Sequence, residues 1–265
     1  MPLVQPLVCE TRQRDWRVGQ AYGCGSALFA TELQRERNAP VVVIAPSVAA
    51  AEALDVELRF FAGDAAVCHL PDAECLPYDS FSPHPELISQ RLAALSTLLN
   101  NGSPIVLLAV NTLFGRLPPP DYIRGQSLSL ATGMRLELEQ LAAQLTDAGY
   151  LRVQQVNQPG ELAVRGSLID LFPPASEHPV RVDFFDAEID SLRQFDVETQ
   201  RSANSLERLE LLPARDFPVD ADGIKGFRGR YRERFAGNPS ESLIYTEVSA
   251  GRYDKTLALF KERLE

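Results

Sequence analysis

The all-apolar run "VVVIA", Val41 to Ala45, constrains the fold of this chain most. It is short, largely β-branched and followed by Pro46, which predicts a strand covered on both faces. Two more short apolar strands follow, "AAVCHL" (65–70) and "PIVLLAV" (104–110). Helical stretches separate them. "SALFATELQRER" (26–37) places Leu28, Ala30, Thr31 and Leu33 near one side, "VAAAEALDVELRFFAG" (48–63) is strongly helical, and "ELISQRLAALSTLLNNG" (86–102) ends at Gly102. Apolar strands separated by helices specify an α/β domain with a parallel sheet.

The stretch "LPDAECLPYDSFSPHPELISQR" (70–91) is too rich in proline, aspartate and aromatics for a regular element and reads as a loop across the strand ends. Three consecutive prolines in "RLPPPDYIRGQ" (116–126) then interrupt any helix and mark a linker. Beyond them the period changes. "SLSLAT" reads as a strand and "RLELEQLAAQLTDAGY" as a helix capped by Gly149. The short alternating segments "LRVQQV", "LAVRGSLIDLF", "VRVDFF" and "EIDSLRQFD" follow. This predicts a small inserted α+β domain with an antiparallel sheet. "LERLELLPA" (206–214) is expected to be a strand that returns to the first sheet. The helix "ADGIKGFRGRYRERF" (221–235) opens a third section that looks too short to close a core alone. The expected divisions are 1–122, 123–198 and 199–265.

The segment "YGCGSALFATEL" (22–33) has the outline of a phosphate-binding loop running into a helix. Such a loop, G-x-x-x-x-G-K-[ST], needs a lysine for the terminal phosphates and a hydroxyl for magnesium. With Gly23 and Gly25 in the turn, the first-glycine place falls to Gln20, the lysine place to Ser26 and the hydroxyl place to Ala27. The chain's only lysines are Lys225, Lys255 and Lys261. Arginine's planar fork is not a substitute for a compact ammonium. The loop is therefore expected to bind no nucleotide, and no cofactor is expected.

A net charge of −10 argues against a chain that grips duplex DNA as a whole, because such binding rests on cations that displace counterions. It is compatible with a local basic groove. No apolar run approaches the roughly 20 residues that span a bilayer, and "MPLVQPLVCETRQRDWR" lacks the marks of a secretory signal, so a cytoplasmic location is expected. Cys9, Cys24, Cys68 and Cys75 form no C-x-x-C pair. Cys68, His69, Cys75 and His84 match no common zinc spacing, so no metal is expected.

In "VRVDFFD" the period of two sends Val180, Val182 and Phe184 to one face, a core face, and Arg181, Asp183 and Phe185 to the other. In "AVRGSLIDLFPP", Gly166 after Arg165 can mark a bulge or tight bend that aims its neighbour outward. Two readings of these residues stand. Arginine and aromatic residues are the usual anchors of protein interfaces. Equally, Arg165 and Arg181 fit pairs with Asp170, Asp183 or Asp186 on a solvated sheet face, and Phe185 fits burial under a neighbouring loop.

Four stretches, "LPYDSFSPHPELISQRL", "NTLFGRL", "GELAVRGSLIDLFPPASEHPVRVDFFDAEIDSLRQFDVETQRS" and "LLPARDFP", closely resemble the N-terminal region of the bacterial transcription-repair coupling factors, the Mfd family. That region is itself similar to UvrB, the damage-recognition subunit of the excinuclease. The resemblance implies a fold like that of UvrB, with a P-loop-ATPase-like front domain whose nucleotide site is degenerate. It implies a non-enzymatic module that recruits UvrA and so links removal of stalled RNA polymerase to nucleotide excision repair. It also implies that the arginines of the R-G-x-x-x-D and R-x-[DE]-x-F motifs face UvrA, which selects Arg165, Arg181 and Phe185. Unlike UvrB, the chain runs from Tyr78 almost directly into the helix near Glu86, with no aromatic hairpin to clamp damaged DNA.

With no D-E-x-H or D-E-x-D box and a closing "LE", the chain reads as the front of a longer protein. By the same resemblance, other domains of that protein carry the ATP-driven motor, the DNA contact and the RNA polymerase contact. A C-terminal domain masks the UvrA-binding face. The alternative of a different class is a fragment of a nucleotide-dependent helicase or ATPase, which the missing lysine and acidic box oppose.

Overall fold

A computed structural model of the chain describes residue 19, residues 21–75 and residues 83–252. The expectations about Gln20, Cys9, the segment from Tyr78 toward the helix and the closing residues lie outside these. The described residues form two compact units, one within 1–72 with 97–115 and the other within 73–96 with 116–265.

In the first unit α1 (Gly25–Arg37), β1 (Val41–Ala45), α2 (Val48–Ala62), β2 (Val67–Leu70) and β3 (Ile105–Ala109) build a parallel sheet of order β1-β3-β2. Ala27, Ala30, Ala45, Ala51 and Ala62 pack with Leu58, Ile105 and Leu107, and their small side chains let the helices lie close on the strands. Ser47 caps α2 by accepting from the Ala50 amide at 3.2 Å. Two details differ from expectation. In α1 the buried residues are Ala27, Ala30, Thr31 and Gln34, whereas Leu28 and Leu33 are only half-buried. Gln34 reaches inward because its amide donates to the Ser103 carbonyl at 2.9 Å. In β1, Val42 and Ile44 are 57% and 52% exposed. The strand expected to be covered on both faces is an edge strand, and α1 and α2 cover one face of it. Central β3 is the strand with every residue buried.

The helix α3 (Pro85–Asn100) runs through the division between the units at Ser96 and Thr97. In the second unit Pro120 is not only a breaker. It opens α4 (Pro120–Gln126), where a missing amide proton costs nothing in the first turn. Tyr122 donates its hydroxyl to the Phe217 carbonyl at 2.8 Å, tying α4 to the segment before α6.

The six-stranded sheet follows the order β10-β9-β8-β7-β6-β5, from β5 (Leu151–Arg152), β6 (Glu161–Arg165), β7 (Leu168–Leu171), β8 (Val180–Phe185), β9 (Glu188–Phe195) and β10 (Ser202–Leu206). All neighbours are antiparallel except β5 and β6. One face carries Leu162, Ile169, Leu171, Val180, Val182, Ile189 and Leu192 and packs against Leu141, Ala142 and Leu145 of α5 (Leu138–Asp147). The "LAVRGSLIDLF" stretch is two strands, not one, because Gly166 at φ +60° and Ser167 turn the chain between Arg165 and Leu168. "LRVQQV" supplies only the two-residue β5.

The strand expected to return to the first sheet, β11 (Arg208–Leu211), pairs instead with β4 (Leu128–Ala131). Its alternation, with Leu209 and Leu211 buried, fixes that one face is covered but not which strand lies beside it. These leucines join the α5 core. The third section closes a core of its own: Phe217, Val219, Phe227 and Tyr231 pack with Ile244, Tyr245 and Val248, using α6 (Ala221–Arg234) and α7 (Leu243–Ser249). Aromatic rings achieve this over a short stretch because each buries a large area.

A candidate protein-binding face on the six-stranded sheet

The outer face of the sheet is set by register. Ala163, Asp170, Arg181, Arg193 and Ser205 form one row across β6, β7, β8, β9 and β10. Arg165, Leu168, Asp183 and Ser191 form the next row. The burial of β8 follows the period of two, with Val180, Val182 and Phe184 inside and Arg181, Asp183 and Phe185 on the outer side. Part of this face is closed by Ala163, Phe172 and Phe195 with Val156, so the polar row lies beside an apolar cluster.

Arg181 is held there by a two-point ion pair. Its Nε donates to Oδ1 of Asp170 at 2.7 Å and its Nη2 to Oδ2 at 2.9 Å. Asp170 is only 1% exposed. The guanidinium also lies 5.0 Å over the Phe195 ring. The hydrogen bonds to Asp170 push the Arg181 pKa up, burial works against them, and the charges of Asp170 and Asp183 add to the rise. Arg181 is therefore a permanent cation in a fixed pose, with 17% of its side chain accessible. Of the expected ion-pair partners, Asp170 is the one it takes.

Arg193 lies directly opposite Arg181, and two like charges in that position repel. Each has its own carboxylate. Arg193 donates to Oδ2 of Asp183, which also accepts from the Ser191 hydroxyl at 2.8 Å. Arg193 of "EIDSLRQFD" was not singled out, because a register shift between Asp183 and Phe184 hides its alignment with Arg181. It extends the cationic row beyond the two arginines that the sequence singled out.

Phe185 ends β8 opposite Glu188, at a two-residue turn in which Asp186 takes φ +52°. Its ring is 73% exposed, so it is not buried by a loop. Arg165 is exposed at the end of β6 and donates its Nη2 to the Gln154 carbonyl at 2.8 Å. The Phe184 amide bonds to the Ser167 carbonyl at 2.9 Å, which brings the tips of the β6–β7 and β8–β9 hairpins together. With strands about 4.8 Å apart, Arg165 lies about 10 Å from the row position of Asp183, just below Phe185. An exposed aromatic ring and an exposed arginine at the hairpin tips thus share one face with two fixed arginines, which lie toward the other end of β8. The arrangement has no nucleophile paired with a base. It is suited to carboxylates and apolar side chains of another protein.

The other candidate site is a turn. Gly23 and Cys24 turn the chain, with the Gly25 amide bonding to the Tyr22 carbonyl at 3.0 Å, and Ala27 is buried against the sheet. Ser26 is exposed. Among the described residues no group of His, Cys, Asp and Glu comes together to hold a metal, and burial raises the Cys68 pKa. No helix of the described residues is long and apolar enough to cross a membrane.

Residues 128–217, which contain β4 through β11, match the family model of the UvrB interaction domain. The chain is 43% identical over 234 residues to the transcription-repair-coupling factor of Escherichia coli, covering 88% of the chain and 20% of that protein. It is 42% identical over 243 residues to that of Haemophilus influenzae, covering 91% of the chain and 21% of the relative. It is 33% identical over 197 residues to that of Bacillus subtilis, covering 74% and 17%. The chain thus spans about a fifth of the length of the relatives it matches. It carries a UvrB interaction domain and is homologous over most of its length to the transcription-repair-coupling factors.

Proposed function

We propose that the chain is a non-catalytic recruitment module of transcription-coupled DNA repair, and that the outer face of its six-stranded sheet docks UvrA through Arg165, Arg181 and Phe185. The observation that carries this reading is Phe185, a large ring 73% exposed beside Arg165 at the hairpin tips. Arginine and aromatic side chains are the usual anchors of protein interfaces, and Arg181 would lose little side-chain freedom on binding because Asp170 already holds it. Within a longer cytoplasmic protein, the ATP-driven motor with its own DNA contact and the RNA polymerase contact belong to other domains. A C-terminal domain covers the same face until the motor engages. The turn at Gly23, Gly25, Ser26 and Ala27 serves as scaffold and binds no nucleotide.

Calorimetric titration of the chain with purified UvrA, and separately with UvrB, tests this. UvrA should bind, and Phe185→Ala and Arg165→Ala should each weaken it by about 2 kcal/mol or more. Undiminished binding by both variants removes the site, and preference for UvrB over UvrA removes the partner.

A further inference from the structure

The chain is acidic overall, yet α6 carries five basic side chains against two acidic ones. Their positions are ordered. Lys225, Arg228 and Arg232 follow an i, i+3, i+7 spacing, so a 3.6-residue period puts them in one stripe about 60° wide. All three are exposed, and the two acids of the helix, Asp222 and Glu233, fall outside the stripe. Among the described residues no carboxylate pairs with any of the three.

The two arginines are positioned from below by one phenol. Arg228 Nε donates to the Tyr245 hydroxyl at 3.4 Å, and the Arg232 guanidinium lies 5.6 Å over the Tyr245 ring. The hydrogen bond from Arg228, with the charges of both arginines, lowers the Tyr245 pKa. Tyr245 itself is fixed in the aromatic core of the third section. Both cations therefore gather around the Tyr245 side chain.

Glycine gives a second observation. α6 contains Gly223, Gly226 and Gly229, each unfavourable inside a helix. Gly223 has a packing reason, since a Cβ there would meet the Pro218 carbonyl oxygen at 2.7 Å. Gly229 has none: a Cβ there would meet nothing within 4 Å. It lies at the border of the basic stripe, and its missing side chain leaves the helix backbone bare where a bulky backbone could approach.

We propose that the Lys225–Arg228–Arg232 face of α6 is a contact for the phosphate backbone of duplex DNA. Among the described residues the rings around α6, Phe227, Tyr231 and Tyr245, are buried and Phe235 is only partly exposed, so none of them offers an open platform for stacking unpaired bases, which favours a duplex over a single strand. The choice of DNA rests on the role in DNA repair proposed above, while the cationic face stands on its own geometry. Contacts of this kind are sequence-independent and salt-sensitive.

Fluorescence anisotropy of a labelled duplex DNA with the 265-residue chain, from low to physiological salt and without UvrA, tests the face separately from the UvrA reading. Three neutralised phosphates give a slope of log K against log salt of about −2.7. Lys225→Gln should reduce that slope by about 0.9. Gly229→Glu should weaken binding at least about tenfold, because the new carboxylate lies i+4 from Lys225 and three residues before Arg232. That variant improves helix propensity and fills open space, so unchanged or raised thermal stability is expected beside the lost affinity. Phe185→Ala should leave DNA binding unchanged. The proposal is overturned if the wild-type chain shows no salt-dependent binding at low salt, or if Gly229→Glu binds as the wild type does. It is also overturned if duplex RNA or polyglutamate binds this face more tightly than duplex DNA.

Discussion

Arg181 and Asp170 are cross-strand partners on β8 and β7, and the guanidinium meets both carboxylate oxygens, at 2.7 and 2.9 Å. One side of this pair is nearly sealed, with the Asp170 side chain at 2% accessibility and that of Arg181 at 17%. Removing either partner leaves the other charge with no good place to go. Breaking such a pair typically costs about 3 to 5 kcal/mol. Because Arg181 keeps some solvent, Arg181→Ala and Asp170→Ala should each lower stability by about 3 kcal/mol, the low end of that range. The double variant should cost clearly less than the two added together. Urea unfolding of the four proteins checks this, and additive losses would mean that the pair is not coupled.

How much of this face was legible depends on which property is asked for. The alternation of "VRVDFF" fixed which residues share a side, because a strand's period is two whatever lies beside it. The strand neighbours are a different matter. "LERLELLPA" declares a covered face through Leu209 and Leu211, but its partner, β4, is far away in sequence and no local pattern points to it. In β1, hydrophobicity alone suggested cover on both sides, yet Val42 and Ile44 lie on an open face of an edge strand. Arg193 was hidden by the register shift after Asp183. Local chemistry was readable, whereas pairing at long range was not.

Gly149 ends α5 at φ +92°, and a Cβ placed on it would lie 2.5 Å from Cγ of Arg215. Left-handed backbone alone costs a non-glycine residue about 1 to 2 kcal/mol, and the close approach adds to that. Gly149→Ala should therefore destabilise the second unit by about 2 kcal/mol or more. Gly102, after α3, has no atom within 4 Å of its added Cβ and no left-handed φ. Gly102→Ala should be neutral or stabilising by up to about 1 kcal/mol. Thermal unfolding of the two variants side by side tests whether position, rather than residue type, sets the outcome.

Tyr150 is 3% exposed and donates its hydroxyl to the Leu212 carbonyl at 3.0 Å. Burial raises its pKa well above the ordinary value of 10.0. A group raised in this way gives its full contribution below the unfolded pKa and loses it as pH climbs toward the folded one, since only the unfolded phenol releases its proton. Stability should thus fall above pH 10, with Tyr150 contributing about 1.4 kcal/mol per pH unit. Tyr150→Phe should cost about 1 kcal/mol near neutral pH through the lost hydrogen bond, yet make the alkaline decline shallower. An unchanged slope above pH 10 in that variant would place the alkaline loss elsewhere.

Phe185 and Arg181 lie on the same strand face but differ in what holds them, and this separates binding from folding. Phe185 ends β8 with 73% of its surface in water, so Phe185→Ala should change stability by no more than about 0.5 kcal/mol. Its loss of UvrA affinity, expected at about 2 kcal/mol or more, should therefore appear in a protein that unfolds like the wild type. Arg181→Ala should lose both affinity and stability, because Asp170 is left buried and unpaired. A weakened Arg181 variant taken alone would thus say little about contact with a partner. The informative comparison sets urea midpoint against UvrA affinity for Phe185→Ala, Arg165→Ala and Arg181→Ala. If Phe185→Ala loses stability and affinity in proportion, the ring is part of the fold and not of the interface.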